Sequence, residues 1–166
     1  MSVRIFFGYS LIELLLVLAI IASFTVMAIT TSRELYQSNV SQVVVNRLLN
    51  AIQLARMQAI TYGDKVTLCG SSNGLECDEN WQAGQIIINT KTHKLLRAYS
   101  ALPRNVLLNW HSSGRQPYLT FQANGFTNGQ QGRFNICISG KAGVNRAIII
   151  NHSGRPRISN DSLCPL

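Results

Sequence analysis

The 166-residue chain carries 15 Lys and Arg against 7 Asp and Glu, a formal net charge of +8, with 46% hydrophobic and 13% charged residues. That length holds one folded domain with a modest core, and the apolar content excludes a disordered chain. The positive excess points to an anionic partner such as nucleic acid, lipid headgroups or an acidic surface. It is unevenly placed: residues 1–79 hold five basic and six acidic groups, whereas residues 80–166 hold ten basic groups against Asp161 alone, which gives −1 and +9.

From Tyr9 to Ser32 the only charged side chain is Glu13, and Leu14–Ala22 is unbroken Leu, Val, Ile and Ala. As a helix these residues reach about 36 Å at 1.5 Å each, enough for a bilayer core of about 30 Å. Residues 9–32 are therefore predicted to be a transmembrane helix. A removable secretory signal is the rival reading, with Arg4 as its basic flank. The apolar run is long for that, and no clear small-x-small cleavage site follows it. Glu13 is anomalous, because a carboxylate at mid-membrane costs about 2.5–3.5 kcal/mol. It either has a cationic partner or reaches back to the headgroups.

The stretch Gly8-Tyr9-Ser10-Leu11-Ile12-Glu13-Leu14 resembles the processing site of type IV pilins and type II secretion pseudopilins. The resemblance implies a leader peptide (1–8), cleavage between Gly8 and Tyr9 by a membrane prepilin peptidase, and N-methylation of Tyr9. It also implies an assembly role for Glu13, paired with the N-terminal amine of a neighbouring subunit. Tyr9 departs from the usual Phe but keeps an aromatic ring.

Apolar residues at Leu35, Val40, Val44, Leu48, Ala51, Ile52, Ala55, Ala59 and Tyr62 are spaced mostly by threes and fours, so the helix is expected to continue as an amphipathic segment over 33–63. Gly63-Asp64 is its stop. One helix of about 50 residues would be about 75–80 Å long. In the remainder, 64–166, seven runs read as strands: Val66–Cys69, Gln85–Asn89, Leu95–Tyr99, Val106–Trp110, Tyr118–Gln122, Phe134–Ile138 and Ala147–Asn151. Asn73-Gly74, Ser113-Gly114, Asn124-Gly125, Asn128-Gly129, Ser139-Gly140 and Ser153-Gly154 punctuate them as turns. The fold class expected is α+β, a long N-terminal helix packed on an antiparallel β-sheet domain.

Four cysteines in a membrane-anchored domain fit an oxidising compartment. Of the three possible pairings, Cys69–Cys77 and Cys137–Cys164 are favoured. A zinc site would be the alternative, but there is no C-x-x-C pair and the three His are scattered. No metal or cofactor is expected. Gly70-Ser71-Ser72-Asn73-Gly74 fits G-x-S-x-G, yet Leu75–Gly84 has no helical stripe to complete a nucleophile elbow. His93, His111 and His152 show no catalytic pairing, so the chain reads as a non-enzyme.

Asn46-Arg47-Leu48, Gln53-Leu54-Ala55-Arg56, Val66-Thr67-Leu68-Cys69, Trp81, Gly84 and Phe121…Gly125…Gly132-Arg133-Phe134…Cys137 are similar to the GspH/FimT group of minor pilins and pseudopilins. The implied protein is a low-abundance filament subunit, held in the bacterial inner membrane by a single pass, with its β domain in the periplasm, then assembled with other pilus subunits at the cell surface. Within the basic half, Ser153-Gly154-Arg155-Pro156-Arg157 presents two guanidinium groups on a stiff, extended segment. Each can bind a phosphate bidentately. Gly154-Arg155-Pro156-Arg157 resembles the Gly-Arg-x-Arg signature of FimT-type minor pilins of natural transformation, which implies DNA binding by Arg155 and Arg157. Charge alone adds Arg146, Lys141, Arg133 and Arg115. With few exposed aromatics evident beside this cluster, base stacking is not expected, and the partner predicted is duplex DNA bound without sequence preference. The alternative is a structural minor pilin or pseudopilin, at the tip or in initiation, without DNA binding.

Overall fold

The computed structural model describes residues 10–139 and 145–164, without the side chains of residues 25–35 and Gln37. It divides into two compact units, Met1–Gln37 and Ser38–Leu166. Helix α1 (Leu11–Tyr62) is followed by β1 (Val66–Gly70), β2 (Gln85–Asn89), β3 (Leu95–Tyr99), β4 (Val106–Ser112), β5 (Leu119–Phe121), β6 (Gly132–Ile138), β7 (Arg146–Ile150) and β8 (Pro156–Ser159).

In the first unit the Ser10 carbonyl accepts from the amides of Glu13 (3.0 Å) and Leu14 (3.2 Å) and so opens the helix. Glu13 lies in the first turn, where the helix dipole favours a carboxylate. Side chains from Leu11 to Phe24 are exposed. That stretch rises only about 21 Å, and among the described residues no helix is long and apolar enough to cross a membrane. The predicted span 9–32 thus depends on residues whose side chains are outside the description. The leader, Gly8 and Tyr9 lie outside the described residues altogether.

In the second unit the helix buries Val44, Val45, Leu48, Ala51, Ile52, Ala55 and Ala59. Ala51, Ala55 and Ala59 share one stripe of it at a spacing of four. Tyr62, expected on that stripe, is exposed instead, because the helix ends there and Gly63 turns away at φ 65°. The strands form two four-stranded antiparallel sheets, β3-β2-β1-β5 and β4-β6-β7-β8. Val66, Leu68, Ile87, Leu119 and Phe121 from the first sheet join Val106, Leu108, Phe134, Ile136, Ile148 and Ile150 from the second in one core with the helix. Trp81 and Trp110 flank Phe134 at ring-centre distances of 4.8 and 4.3 Å. Arg47 ties the helix to the first sheet, donating to Gln85 Oε1 (2.9 Å) and to the Ser100 carbonyl. Burial holds its guanidinium pKa below the ordinary value.

Disulfides join Cys69 to Cys77 and Cys137 to Cys164, with Cα separations of 5.6 and 5.7 Å. The first closes the G-x-S-x-G segment into a turn. Asn73 Oδ1 accepts from the amides of Leu75 and Glu76, and Asp78 Oδ2 accepts from the Ser72 amide at 2.8 Å. Hydrogen bonds from Ser72 and Asn80 hold the Asp78 carboxyl below its usual pKa. Among the described residues no helix follows β1, so Ser72 does not sit on a nucleophile elbow.

Candidate nucleic-acid interface

Arg155 and Arg157 lie at the end of the β7–β8 hairpin. Five residues, Asn151–Arg155, connect the strands, and Asn151 organises them. Its carbonyl accepts the Gly154 amide (2.9 Å), while its Oδ1 accepts from Ser153 Oγ (2.8 Å) and the Arg155 amide (3.2 Å). Gly154 adopts φ 72°, and a Cβ there would sit 2.5 Å from the Gly125 carbonyl oxygen and 3.0 Å from Phe121 Cε1. Only glycine fits both the left-handed backbone and the contact. Gly125 is in turn held by Arg56, whose Nε donates to its carbonyl at 3.0 Å. Thr127 adds two bonds, from its amide and its Oγ1, to the His152 carbonyl, each 3.1 Å. The arginine-bearing turn is therefore docked on the 122–129 loop, and that loop on α1.

Pro156 opens β8, the edge strand, where a missing N–H costs no ladder bond. Register places Arg157 opposite Ile149, Ile149 opposite Arg133, and Arg133 opposite His111. These four form one transverse row on the face of the sheet away from the core. Arg155 and Arg157 are exposed, and neither takes part in an ion pair among the described residues.

The other predicted contacts are arranged less uniformly. Arg133 shares the row with Arg157 but is committed to the C-terminal tail: its Nη2 donates to the Asp161 carbonyl (2.7 Å) and lies 3.6 Å from Asp161 Oδ2. The sole acidic residue after Glu79 thus shields one of the predicted arginines. Arg146 stands opposite the buried Ile136, so it has the core-facing parity and lies at the far end of β7 from Arg155. Its Nη1 donates to the Asn145 carbonyl at 2.8 Å. Arg115 leaves β4 at the same end of the sheet as Arg155. It is separated by three strand spacings, about 14 Å, and borders a cleft that also contains Glu79. Lys141 lies outside the described residues.

Sequence reasoning missed an aromatic pair at the arginine turn, Phe126 from the docked loop and His152 from the turn itself. Phe126 is 43% exposed, and its ring meets that of His152 edge-on at 6.0 Å. Their meeting depends on the Thr127–His152 bonds, which join residues 25 apart in sequence. The one local signal was an aromatic residue directly after the Asn124-Gly125 turn.

A long helix whose C-terminal half packs on antiparallel sheets, with a disulfide-pinned tail, defines a pilin-like protein of the minor pilin and pseudopilin class. The sequence profile of the family described as type II transport protein GspH matches residues 44–154. The chain belongs to this GspH family. The match ends one residue before Arg155. The fold is similar to crystal structures of the Pseudomonas aeruginosa type IV minor pilin FimU in two space groups. Both have a TM-score of 0.57, with 24% and 23% identity, covering 71% of this chain and 87% or 91% of FimU. It is also similar to the minor pseudopilin EpsH of the Vibrio cholerae type 2 secretion system, with a TM-score of 0.53, 11% identity, and coverage of 72% of this chain and 95% of that one. No curated protein matches the sequence.

Proposed function

We propose that this chain is a minor pilin that binds double-stranded DNA without sequence preference through Arg155 and Arg157, supporting DNA capture and uptake in natural transformation. The observation that carries the reading is the Gly154 turn. It holds two exposed arginines, unpaired among the described residues, at the edge of a sheet in a half-chain of charge +9. Phosphate contacts of this kind release counterions, so affinity falls with salt by a slope of about 0.9 per phosphate neutralised. The test is fluorescence anisotropy on a labelled random-sequence duplex, using the full chain in neutral detergent over a salt series. Arg155→Gln with Arg157→Gln is expected to weaken binding on the order of tenfold and to flatten the slope by about 1.8. Unchanged affinity in the double variant would reject the site, and absence of salt-dependent binding by the parent chain would reject DNA as the ligand.

The same reading includes leader cleavage between Gly8 and Tyr9 by a prepilin peptidase, N-methylation of Tyr9, and anchoring in the inner membrane before assembly with other pilus subunits. A buried Glu13 carboxylate then needs a cationic partner, and the new amine of a neighbouring subunit supplies one. Removing one member of such a pair costs about 3–5 kcal/mol. Glu13→Ala is therefore expected to leave cleavage intact, measured as loss of the leader mass, while most of the protein disappears from sheared filaments. Normal incorporation would count against the pairing.

A further inference from the structure

We infer that the cleft beside the arginine turn is a nucleobase site, so that the chain holds an unpaired nucleotide of single-stranded DNA on Phe126 and His152 while the arginines hold the adjoining phosphates. This rests on the DNA-binding reading above and adds a ligand class to it. The cleft has a volume of about 530 Å³ and is walled by Gln122, Asn124, Phe126, Asn128 and His152, a size within the usual range for small-molecule sites. Its composition suits a base. Phe126 and His152 offer ring surface for a flat π-face; Gln122 Nε2 donates to Asn128 Oδ1 and Asn124 Oδ1 accepts the Phe126 amide, which leaves Gln122 Oε1, Asn124 Nδ2 and Asn128 Nδ2 for its polar edge.

Phe126 is held in this exposed position by its backbone. Its amide donates to Asn124 Oδ1 (3.0 Å) and its carbonyl accepts the Gln122 amide (2.8 Å). The other two phenylalanines of this region, Phe121 and Phe134, are fully buried, so the core does not need the Phe126 ring. His152 and Arg155 are three residues apart, at most about 11 Å along the chain. The Gly154 and Gly125 backbones fix the two turns against each other. Charge for the backbone and ring surface for the base thus belong to one docked pair of loops. In a duplex the base faces are stacked inside and unavailable to Phe126, so the cleft adds affinity only for an unpaired nucleotide.

The test compares a 20-nucleotide oligo-dT with a 20-base-pair duplex by anisotropy, using the full chain in detergent. Phe126→Ala is expected to weaken oligo-dT binding about tenfold and duplex binding less than about twofold, with Phe126→Trp retaining both. His152→Ala serves as a second variant, since the loop is held by the His152 carbonyl and not its ring; it is expected to weaken oligo-dT selectively by about threefold. If neither alanine variant changes the ratio of single-strand to duplex affinity, the base site is rejected. Loss of both affinities in the Arg155→Gln plus Arg157→Gln chain would then leave the phosphate-binding reading standing. No binding of either probe by the parent chain would reject both.

Discussion

Gly154→Ala is expected to destabilise the second unit by about 2–5 kcal/mol and to weaken DNA binding as much as removing the two arginine charges does. Two costs add. An L-residue held in the left-handed region loses about 1–2 kcal/mol. The new Cβ would also lie 2.5 Å from the Gly125 oxygen and 3.0 Å from the ring of Phe121. Phe121 is fully buried and Gly125 is tethered by Arg56, so neither can withdraw cheaply; forcing a methyl into such a site costs about 1–3 kcal/mol. Gly129 is the natural control. It has φ 74° but nothing within 4 Å of its Cβ position, so Gly129→Ala should show the backbone cost alone. Denaturant unfolding of both variants measures the difference, and equal losses would remove the packing argument. The functional consequence follows from the same contact, because a turn pushed off Gly125 no longer aims Arg155 and Arg157 together.

Much of this architecture was legible locally. The seven expected strands all form, within about two residues at most of their ends, because alternation and Asn-Gly or Ser-Gly turns act over short distances. Sequence alone gives β8 as a stiff extended segment and not as a strand. Its four residues begin with Pro and end the sheet, and only pairing with β7 makes them a strand. Division into two sheets was not legible either, since β1 pairs with β5 across three intervening strands. The arginine pair was visible in the sequence as a motif, but the fate of its neighbours was not. Register alone separates Arg133, which shares a row with Arg157, from Arg146, which has the opposite parity. The pairing of Arg133 with Asp161 depends on where a disulfide brings the tail, and the Phe126–His152 cleft on two loops meeting far apart in sequence.

Breaking the Cys137–Cys164 link with paired alanines is expected to lower stability by about 3–4 kcal/mol and, under the proposed function, to raise DNA affinity at low salt up to about fivefold. The link closes a sequence separation of 27 residues, against 8 for Cys69–Cys77. Loop-closure entropy therefore gives it the larger share, about 3–4 against about 2.5 kcal/mol. Its position also decides what the tail covers. Cys137 lies on the same outer face of the second sheet as Arg133. The tail reaches back with the Leu163 amide donating to Asn135 Oδ1 (3.2 Å) and Asp161 meeting Arg133. Once untied, the tail carries its carboxylate away and returns Arg133 to the row that holds Arg157. Asp161 is exposed although the Arg133 side chain is largely covered, and a pair with one partner in solvent is worth about 1 kcal/mol, hence the modest gain. Chemical denaturation and anisotropy on the same protein read the two effects, which run in opposite directions. A parallel fall in stability and affinity would mean that the tail orders the arginine face instead of shielding it. The Cys69→Ala plus Cys77→Ala chain, whose loop touches no arginine of the row, should lose stability with affinity unchanged.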